Sequence, residues 1–271
     1  MQKPSESLLL DNFHLVNERY RVIRLLARGG EGYVYLVQDS YNNNQICVMK
    51  QMYLGPSDLQ GIEKDYQLFS NLFHTNIVQV LDFFWENDVF FVIMNFIAGE
   101  NMKDYLRKLS KPVEEAKVLN WGLKLAHILR FLHNKKPLPV FHADIAPDNI
   151  VIMPNGELVL IDFGIARAGF DAVGLRENYS APEQMNGILD ASCDVYSLGA
   201  TLYKCLTLKD QPDPAADPRK DNPNISNKTA ELIKKATAKS KSSFLGLVKN
   251  RYANIDEFID GIHQCFVRER K

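Results

Sequence analysis

Short apolar segments separated by turns dominate the first hundred residues and predict β-strands. The segments "YRVIRLL", "YVYLV" and "ICVMKQM" are rich in β-branched and aromatic residues, and the stretches "ARGGEG" and "DSYNNNQ" separate them. This order predicts a three-stranded meander. Two further apolar runs, "IVQVLDFFW" and "VFFVIMNF", flank the turn "ENDV" and predict a hairpin.

One helix is predicted to interrupt these strands. Within residues 59–73, apolar side chains recur every three or four positions, which places them along one stripe of a helix. The members of this stripe are Ile62, Tyr66, Phe69 and Phe73.

After residue 100 the pattern acquires a helical period. Residues 114–133 form a long amphipathic segment, and residues 190–206 and 228–239 also have the pattern of helices. Residues 210–223 are rich in Pro and Asp and are predicted to be a surface loop. A mostly β part followed by a mostly α part predicts the α+β fold class.

The composition narrows the class of protein. The chain has 271 residues, of which 46% are hydrophobic and 24% charged, as in a soluble globular protein. A net charge of −1 argues against nucleic acid or a membrane surface as a partner. Apolar runs are too short for a signal peptide or a membrane span. The four cysteines are far apart and form no C-x-x-C pair, which predicts reduced thiols and a cytoplasmic location.

The glycine-rich turn "ARGGEG" has two interpretations. By itself it indicates a tight hairpin, but such a hairpin can also lay backbone N–H groups over a polyphosphate. A strand rather than a helix follows the turn, and no Gly-Lys-Ser/Thr tripeptide is present. These two observations exclude a dinucleotide-binding fold and a Walker loop.

A second candidate site lies in "FHADIAPDNIVIMPNGELVLIDFG", which begins at residue 141. Two short apolar strands joined by "PNGE" predict a hairpin that pairs Ile150 with Ile161. This pairing would bring Asn149 and Asp162 side by side, close to Asp144. Their oxygen atoms suit a magnesium ion that shares its ligands with phosphate, although such residues also commonly cap turns.

Taken together, these segments resemble a Hanks-type protein kinase domain of the serine/threonine branch, from about Tyr20 to Phe266. The motifs follow the order of that family: "LLARGGEGYVY", "CVMK", "HTNIV", "VIMNFIAGENMKDYL", "HADIAPDN", "DFG", "YSAPE", "DVYSLG" and "NRYANIDEF". The resemblance implies a bilobal fold, with a small β-rich N-lobe carrying one regulatory helix and a larger, mostly helical C-lobe. The implied boundaries are an extension at 1–19 and a kinase domain at 20–267, with the N-lobe at about 20–94, the hinge at 95–99 and the C-lobe at 100–267.

The resemblance also implies ATP and Mg²⁺ as cofactors and a catalytic role for four residues. Asp144 corresponds to the base, Lys50 to the phosphate anchor, and Asn149 and Asp162 to the metal ligands. The adenine would lie between the strands of the N-lobe and Val151, against the hinge. The residues implied to bind the nucleotide are Leu26, Ala27, Arg28, Gly29, Gly30, Glu31, Gly32, Tyr33, Val34, Val48, Lys50, Met94, Asn95, Ile97 and Val151.

The later motifs indicate the substrate class. "YSAPE" and "DVYSLG" resemble the peptide-binding architecture of protein kinases, which disfavours a small-molecule kinase of related fold. They imply a protein substrate. Pro147 in "HADIAPDN" and the resemblance of "NYSAPEQ" to serine/threonine members imply a serine or threonine acceptor, and a regulatory protein partner is a further expectation. Arg251 is implied to form a buried ion pair with Glu183.

Four positions depart from the family pattern. The catalytic Asp144 lacks an arginine before it and a lysine two residues after it, and the regulatory helix offers Asp instead of Glu to Lys50. The departures are Ala27 for the first glycine, Asp65 for Glu, Ala143 for Arg and Ala146 for Lys.

These departures leave two functions open. Loss of one electrostatic stabiliser typically costs about 2.7–4 kcal/mol, which slows a reaction without abolishing it. Lys50, Asp144 and Asp162 are all present, which favours an active kinase. The alternative is a nucleotide-binding pseudokinase that acts as a scaffold or allosteric partner.

Activation by phosphorylation of the activation loop is not expected. In the family, a phosphate on this loop pairs with the arginine that precedes the catalytic Asp. Here position 143 is Ala, and residues 164–178 contain no Ser, Thr or Tyr.

Overall fold

The computed structural model describes residues 9–29, 32–53, 61–162, 176–210, 213, 215–239 and 251–267. The chain divides into two compact units, Met1–Ala98 and Gly99–Lys271.

The first unit is built on one antiparallel six-stranded sheet. Its strands are β1 (Leu15–Val16), β2 (Tyr20–Arg28), β3 (Gly32–Asp39), β4 (Gln45–Met52), β5 (Val80–Glu86) and β6 (Val89–Asn95), in the order β1-β2-β3-β4-β6-β5. The predicted meander and hairpin are both confirmed, whereas the short β1 was not predicted. Asn87 and Asp88 both have positive φ in the β5–β6 turn, as in the tight turns that match the twist of a hairpin.

One face of this sheet forms the hydrophobic core of the first unit. Tyr20, Tyr35, Val37, Met49 and Ile93 are fully buried there. They alternate along their strands with residues of the opposite face, as the two-residue period of a strand requires. The opposite face is therefore the one that carries Val34, Val48 and Lys50.

The predicted helix of the first unit is α1 (Ile62–Ser70). It buries Ile62, Tyr66 and Phe69 as expected. Phe73 lies beyond the helix and is 71% exposed, so its predicted place in the apolar stripe is wrong. The helix ends earlier because the N–H groups of Asn71 and Leu72 turn back to the carbonyls of Leu68 and Phe69.

Five helices and a small antiparallel sheet make up the described part of the second unit. They are α2 (Met102–Arg107), α3 (Glu115–His133), α4 (Ala191–Thr207), α5 (Asn227–Ala236), α6 (Ile255–Phe266), β7 (Glu100–Asn101), β8 (Ile150–Ile152) and β9 (Leu158–Leu160). The three predicted helices are thus confirmed, although α5 ends three residues earlier, at Ala236. None of the helices within the described ranges is long and apolar enough to cross a membrane.

The helix α4 occupies the centre of the second unit. Nearly all of its side chains are buried, which is the pattern of a helix with neighbours on every side. Gly199 permits its close approach to α5, because a Cβ atom there would lie 2.8 Å from the Cβ atom of Ala236. The predicted loop at 210–223 contains a short 3-10 helix, Pro218–Lys220, and Pro218 is buried, so the loop is not entirely on the surface.

The hairpin β8–β9 differs from its predicted register by one residue. Ile150 pairs with Leu160 rather than with Ile161. The turn uses three residues instead of four, since the N–H of Met153 donates to the carbonyl of Glu157 at 2.8 Å and Gly156 has a φ of 80°.

Candidate active site

A buried carboxylate of α4 fixes the loop that carries Asp144. Asp194 accepts hydrogen bonds from the backbone N–H of His142 at 2.9 Å and of Ala143 at 2.7 Å, and His133 Nε2 lies 2.8 Å from its Oδ2 atom. Burial favours the neutral acid, but the hydrogen bonds from His133 and the loop backbone hold the pKa of Asp194 below its usual value. Asp194 is therefore an ionised anchor for the residues that precede Asp144.

Asp144 is oriented by a residue of the same loop. The side-chain amide of Asn149 donates to the backbone carbonyl of Asp144 at 2.8 Å and to its Oδ2 atom at 2.7 Å. The Asp144 side chain is 14% exposed, and burial raises its pKa to about 6. The loop thus holds this carboxylate in place, with its Oδ1 atom buried.

A residue that the sequence analysis did not identify as part of the site contacts Asp144. Arg176 Nε lies 2.6 Å from Asp144 Oδ1, and Arg176 Nη1 lies 2.5 Å from Asp148 Oδ1. Burial alone would lower the pKa of the guanidinium, but the two carboxylates raise it above its usual value. Lys103 also approaches Asp148, at 3.4 Å.

The backbone around Arg176 is held by a compact turn. The Arg176 carbonyl accepts hydrogen bonds from the N–H groups of Tyr179 at 3.1 Å and Ser180 at 2.9 Å, and its own N–H donates to Ser180 Oγ at 2.9 Å. Tyr179 in turn donates from its hydroxyl to Asp210 at 2.8 Å. The position of the Arg176 Cα atom is therefore fixed independently of its side chain.

The two alanines beside Asp144 have mainly backbone roles. Ala143 has a φ of 61°, and its carbonyl accepts a hydrogen bond from Gln184 Nε2 at 3.0 Å. Ala146 is 1% exposed. Neither position brings a charged side chain to Asp144.

The two predicted metal ligands are neighbours, although not directly opposite one another. In the observed register, the N–H of Ile161 donates to the carbonyl of Asn149 at 2.9 Å, so Asp162 follows the residue that pairs with Asn149. The pKa of Asp144 is raised mainly by burial and is lowered by Arg176 and Asn149, and the negative charge of Asp162 raises it further. Asp162 therefore lies within electrostatic reach of the carboxylate.

The atoms of this pair fit a magnesium ion. Both amide hydrogens of Asn149 go to Asp144, and no donor among the described residues reaches its Oδ1 atom. Within the described ranges, no three His, Cys, Asp or Glu side chains cluster as a metal site. Mg²⁺ usually takes one or two protein oxygens and completes its shell with phosphate and water, which matches this arrangement.

In the first unit, several predicted nucleotide-binding residues share one face of the sheet. Lys50 pairs with Val34 on β3 and Val92 on β6, while Val48 pairs with Met94. Directly paired residues lie on the same face, so these side chains form an apolar surface around one lysine. Lys50 is 8% exposed.

The glycine-rich turn joins β2 to β3. The N–H of Gly29 donates to the carbonyl of Gly32 at 2.9 Å, and a Cβ atom at Gly32 would lie 1.8 Å from the carbonyl oxygen of Gln51. Only glycine fits at this position. Gly30 and Glu31, also predicted to bind the nucleotide, lie outside the described residues.

The other residues predicted to bind the nucleotide near this turn belong to the flanking strands β2 and β3. Ala27 pairs with Val34 and Arg28 with Tyr33, whereas Leu26 falls within a register shift of β2. The Tyr33 ring is buried, with its centroid 6.3 Å from that of Tyr35 on the core face. The side chain of Tyr33 therefore packs in the core, and its backbone is the part left for a ligand.

The remaining nucleotide-binding predictions concern the end of β6 and the strand β8. The N–H of Asn95 donates to the carbonyl of Gln79 at 3.1 Å, and no acceptor among the described residues is found for the N–H of Ile97. Val151 is buried in β8. Asp65 lies in the first turn of α1, and its pairing with Lys50 stays a prediction.

The ion pair between Arg251 and Glu183 is present in the second unit, as the resemblance implied. Both terminal nitrogens of the guanidinium contact the Glu183 carboxylate, and Arg251 Nε donates to the carbonyl of Ala238 at 2.7 Å. The Arg251 side chain is 2% exposed and that of Glu183 10%. This pair joins distant parts of the chain.

A groove of about 650 Å³ lies next to Asp148 and Arg176 in the second unit. Charged side chains of both signs and several apolar side chains line it. The residues that define its walls are Lys103, Leu106, Pro147, Tyr179, Lys204 and Leu208. The groove is large enough for several side chains of an extended peptide.

Comparison with known proteins assigns the class. A family model described as the protein kinase domain matches residues 20–270. The chain therefore belongs to the protein kinase family. Its α+β architecture agrees with the crystal structure of the kinase domain of Mycobacterium tuberculosis PknI, with a TM-score of 0.76, 20% identity, and coverage of 94% of this chain and 99% of that one.

Curated relatives point to phosphotransfer at modest identity. The chain is 27% identical to a probable serine/threonine-protein kinase of Clostridium perfringens over 92% of its length, and 26% identical to serine/threonine-protein kinase PrkC of Bacillus subtilis over 83%. It is also 29% identical to tyrosine-protein kinase MasK of Myxococcus xanthus over 69%. The chain spans 38%, 38% and 32% of the lengths of these three proteins.

Proposed function

We propose that this chain transfers the γ-phosphate of ATP, with Mg²⁺, to hydroxyl groups of protein substrates. The observation that carries the proposal is the arrangement around Asp144. Asn149 holds this carboxylate with two hydrogen bonds, and Asp194 fixes the preceding loop backbone. A general base must be oriented toward the proton that it accepts, and these contacts orient the Asp144 carboxylate.

Each side chain has a defined task in this proposal. Asp144 orients the acceptor hydroxyl and accepts its proton, and Lys50 binds the α- and β-phosphates. Asn149 Oδ1 and Asp162 hold Mg²⁺, which when bound neutralises charge on the phosphate oxygens. The apolar face around Lys50 would receive the adenine.

Serine or threonine is the proposed acceptor. Two relatives are named serine/threonine kinases, whereas MasK is named a tyrosine kinase, so the acceptor needs its own test. Pro147 beside Asp148 also favours this assignment. Phosphoamino-acid analysis of the labelled product should show phosphoserine and phosphothreonine, and predominant phosphotyrosine would overturn the assignment.

Regulation is proposed to be independent of phosphorylation on the activation loop. Alanine at 143 supports this proposal because its side chain cannot pair with a phosphate on the activation loop. A regulatory protein partner would then provide control. The four cysteines form no disulfide, which is compatible with the cytoplasmic location proposed for the domain.

A second candidate function, a nucleotide-binding pseudokinase, is favoured by the contact of Arg176 with Asp144. In that case the protein binds Mg²⁺–ATP and acts as a scaffold without transferring phosphate. Ligand binding to the native state raises the melting temperature for both candidates, so this measurement tests nucleotide binding alone.

Transfer of labelled phosphate from Mg²⁺–ATP to a generic protein substrate separates the two candidates. The parent protein should incorporate label, and Asp144→Asn should reduce the rate severely while keeping the thermal shift with Mg²⁺–ATP. Asp162→Asn should lose both transfer and the magnesium-dependent part of the shift. A thermal shift without transfer in the parent would favour the pseudokinase.

A further inference from the structure

The catalytic loop, residues 142–149, carries concentrated negative charge and contains no lysine or arginine. Asp144 and Asp148 both contact one guanidinium, so their carboxylates lie close together, and Asp162 adds a third negative charge within electrostatic reach. A partly buried carboxylate remains ionised only where a cation or hydrogen-bond donors compensate it. The loop positions 143 and 146 carry alanine and contribute no cation.

Arg176 compensates this charge from a different part of the chain. Its Nε and Nη1 atoms contact two carboxylates at 2.6 and 2.5 Å. Because the guanidinium is planar and rigid, contacts through two of its nitrogens fix the orientation of the group as well as its distance. A lysine ammonium would bring the charge without that orientation.

We propose that Arg176 is a positioning residue for phosphotransfer, which fixes the orientation of Asp144 and provides the positive charge that Ala143 and Ala146 do not. This inference rests on the proposed function. The resemblance implies an arginine on the catalytic loop that pairs with a phosphate on the activation loop. Here the charges are reversed, because the cation is on the activation segment (residues 164–183, which include the activation loop) and its anionic partners are on the catalytic loop.

The contact leaves Asp144 able to act. Arg176 approaches Oδ1 and Asn149 donates to Oδ2, but an ionised carboxylate offers about four lone-pair sites. Because the Oδ1 atom of Asp144 is buried, a substrate hydroxyl would approach the remaining lone pair of Oδ2 while both partners stay in place. A lock that must open before catalysis is a different role, and it predicts the opposite effect of removing the guanidinium.

The test compares Arg176→Gln, Arg176→Lys and Arg219→Gln in the same protein. Arg219 is the matched control because it also pairs with an aspartate of the second unit, Asp217 at 2.6 Å, and takes no part in the proposed site. For each variant, kcat, the KM for ATP and the melting temperature are measured. Bound Mg²⁺–ATP is followed by thermal shift.

Arg176→Gln should lower kcat by about ten- to a hundred-fold, since misplaced catalytic groups cost rates of this order. The KM for ATP should stay within about two-fold, because Arg176 acts on Asp144 and not on the nucleotide. Arg176→Lys should recover part of kcat by restoring the charge, and Arg219→Gln should match the parent. A purely structural role would not lower kcat at an unchanged KM for ATP, and it would not let Arg176→Lys recover part of kcat.

Three outcomes would overturn the proposal. Unchanged kcat in Arg176→Gln would show that the contact is incidental, and increased kcat would identify Arg176 as a lock. If Arg176→Gln does not fold, a parental kcat in folded Arg176→Lys would also exclude a need for the fixed orientation.

An inactive parent protein is also informative. If Arg176→Gln then becomes active, the proposed function stands and Arg176 is a lock. If both proteins bind Mg²⁺–ATP and neither transfers phosphate, the proposed function fails, and the positioning role fails with it.

Discussion

Two arginine–carboxylate contacts in the second unit use the same chemistry in different surroundings. Arg251 and Glu183 are buried, with side chains 2% and 10% exposed. Arg176 is 31% exposed, and its partners Asp148 and Asp144 are 30% and 14% exposed. Removal of one partner from a buried pair leaves an uncompensated charge in the interior. Removal of one partner from a more accessible pair leaves a charge that water can reach. The first contact should therefore act mainly on stability and the second mainly on activity.

The largest expected effect is on the buried pair. Glu183→Gln should lower the free energy of unfolding by about 3–5 kcal/mol, because the Arg251 guanidinium stays buried without its counter-ion. Denaturant unfolding measures this change. Glu231→Gln is the control, since Glu231 is 64% exposed and pairs with Lys234 one helical turn away. Equal losses in the two variants would show that burial does not distinguish these pairs.

A smaller effect is expected at Asp194, which anchors the loop on which Asp144 lies. In Asp194→Asn, one backbone N–H would face an amide N–H instead of a carboxylate oxygen, and hydrogen bonds to a charged group typically contribute about 1.5–3 kcal/mol. We expect a loss of unfolding free energy of that order at neutral pH.

The pH dependence of this loss has a defined sign. The pKa of Asp194 is lower in the folded protein than the ordinary value of 3.8, so its ionised form stabilises the fold at higher pH. This stabilisation is lost as the pH falls through the lowered folded-state pKa. The difference in unfolding free energy between parent and variant should therefore shrink below about pH 4. A constant difference down to acid unfolding would mean that the charge is unimportant.

The next prediction concerns the coupling of Arg176 to its second partner. Asp148→Asn should lower kcat several-fold, because Arg176 loses one of the two contacts that orient it. In the Arg176→Gln background the same change should have little further effect, which gives a coupling energy of about 1 kcal/mol. Asp256→Asn is the control, because Asp256 is 64% exposed, lies 3.7 Å from Arg130 and takes no part in the proposed site. If the effects of Asp148→Asn and Arg176→Gln on kcat are additive, the two residues act independently and the predicted coupling is absent.

Much of the fold could be predicted because it depends on local patterns. The strands of the first unit follow the alternation of apolar residues, and this alternation also puts Lys50 on the face opposite the core. Asn149 reaches Asp144 because both residues belong to one short loop. The predicted register of β8–β9 was wrong by one residue, because the turn that joins the two strands has three residues rather than four.

Arg176 could not be identified from the sequence for a different reason. Its contact with Asp144 depends on the path of the activation segment, which no local pattern specifies. The available signal was indirect: two carboxylates without a neighbouring cation at 143 or 146 imply that a cation comes from elsewhere. Arg251 is even farther along the chain from its partner, 68 residues from Glu183, but a family motif identifies it, and the structure shows the pair.

The smallest expected effect is on the stability of the Arg176→Gln variant. Accessible ion pairs contribute about 0–1 kcal/mol, so its free energy of unfolding should stay within about 1 kcal/mol of the parent. The remaining difference should also decrease at high salt, because an ionic strength of about 1 M shortens the screening length to about 3 Å. Denaturant unfolding of both proteins at low and high salt measures this. A loss as large as that of Glu183→Gln, insensitive to salt, would make Arg176 a structural residue and remove the distinction between the two arginines.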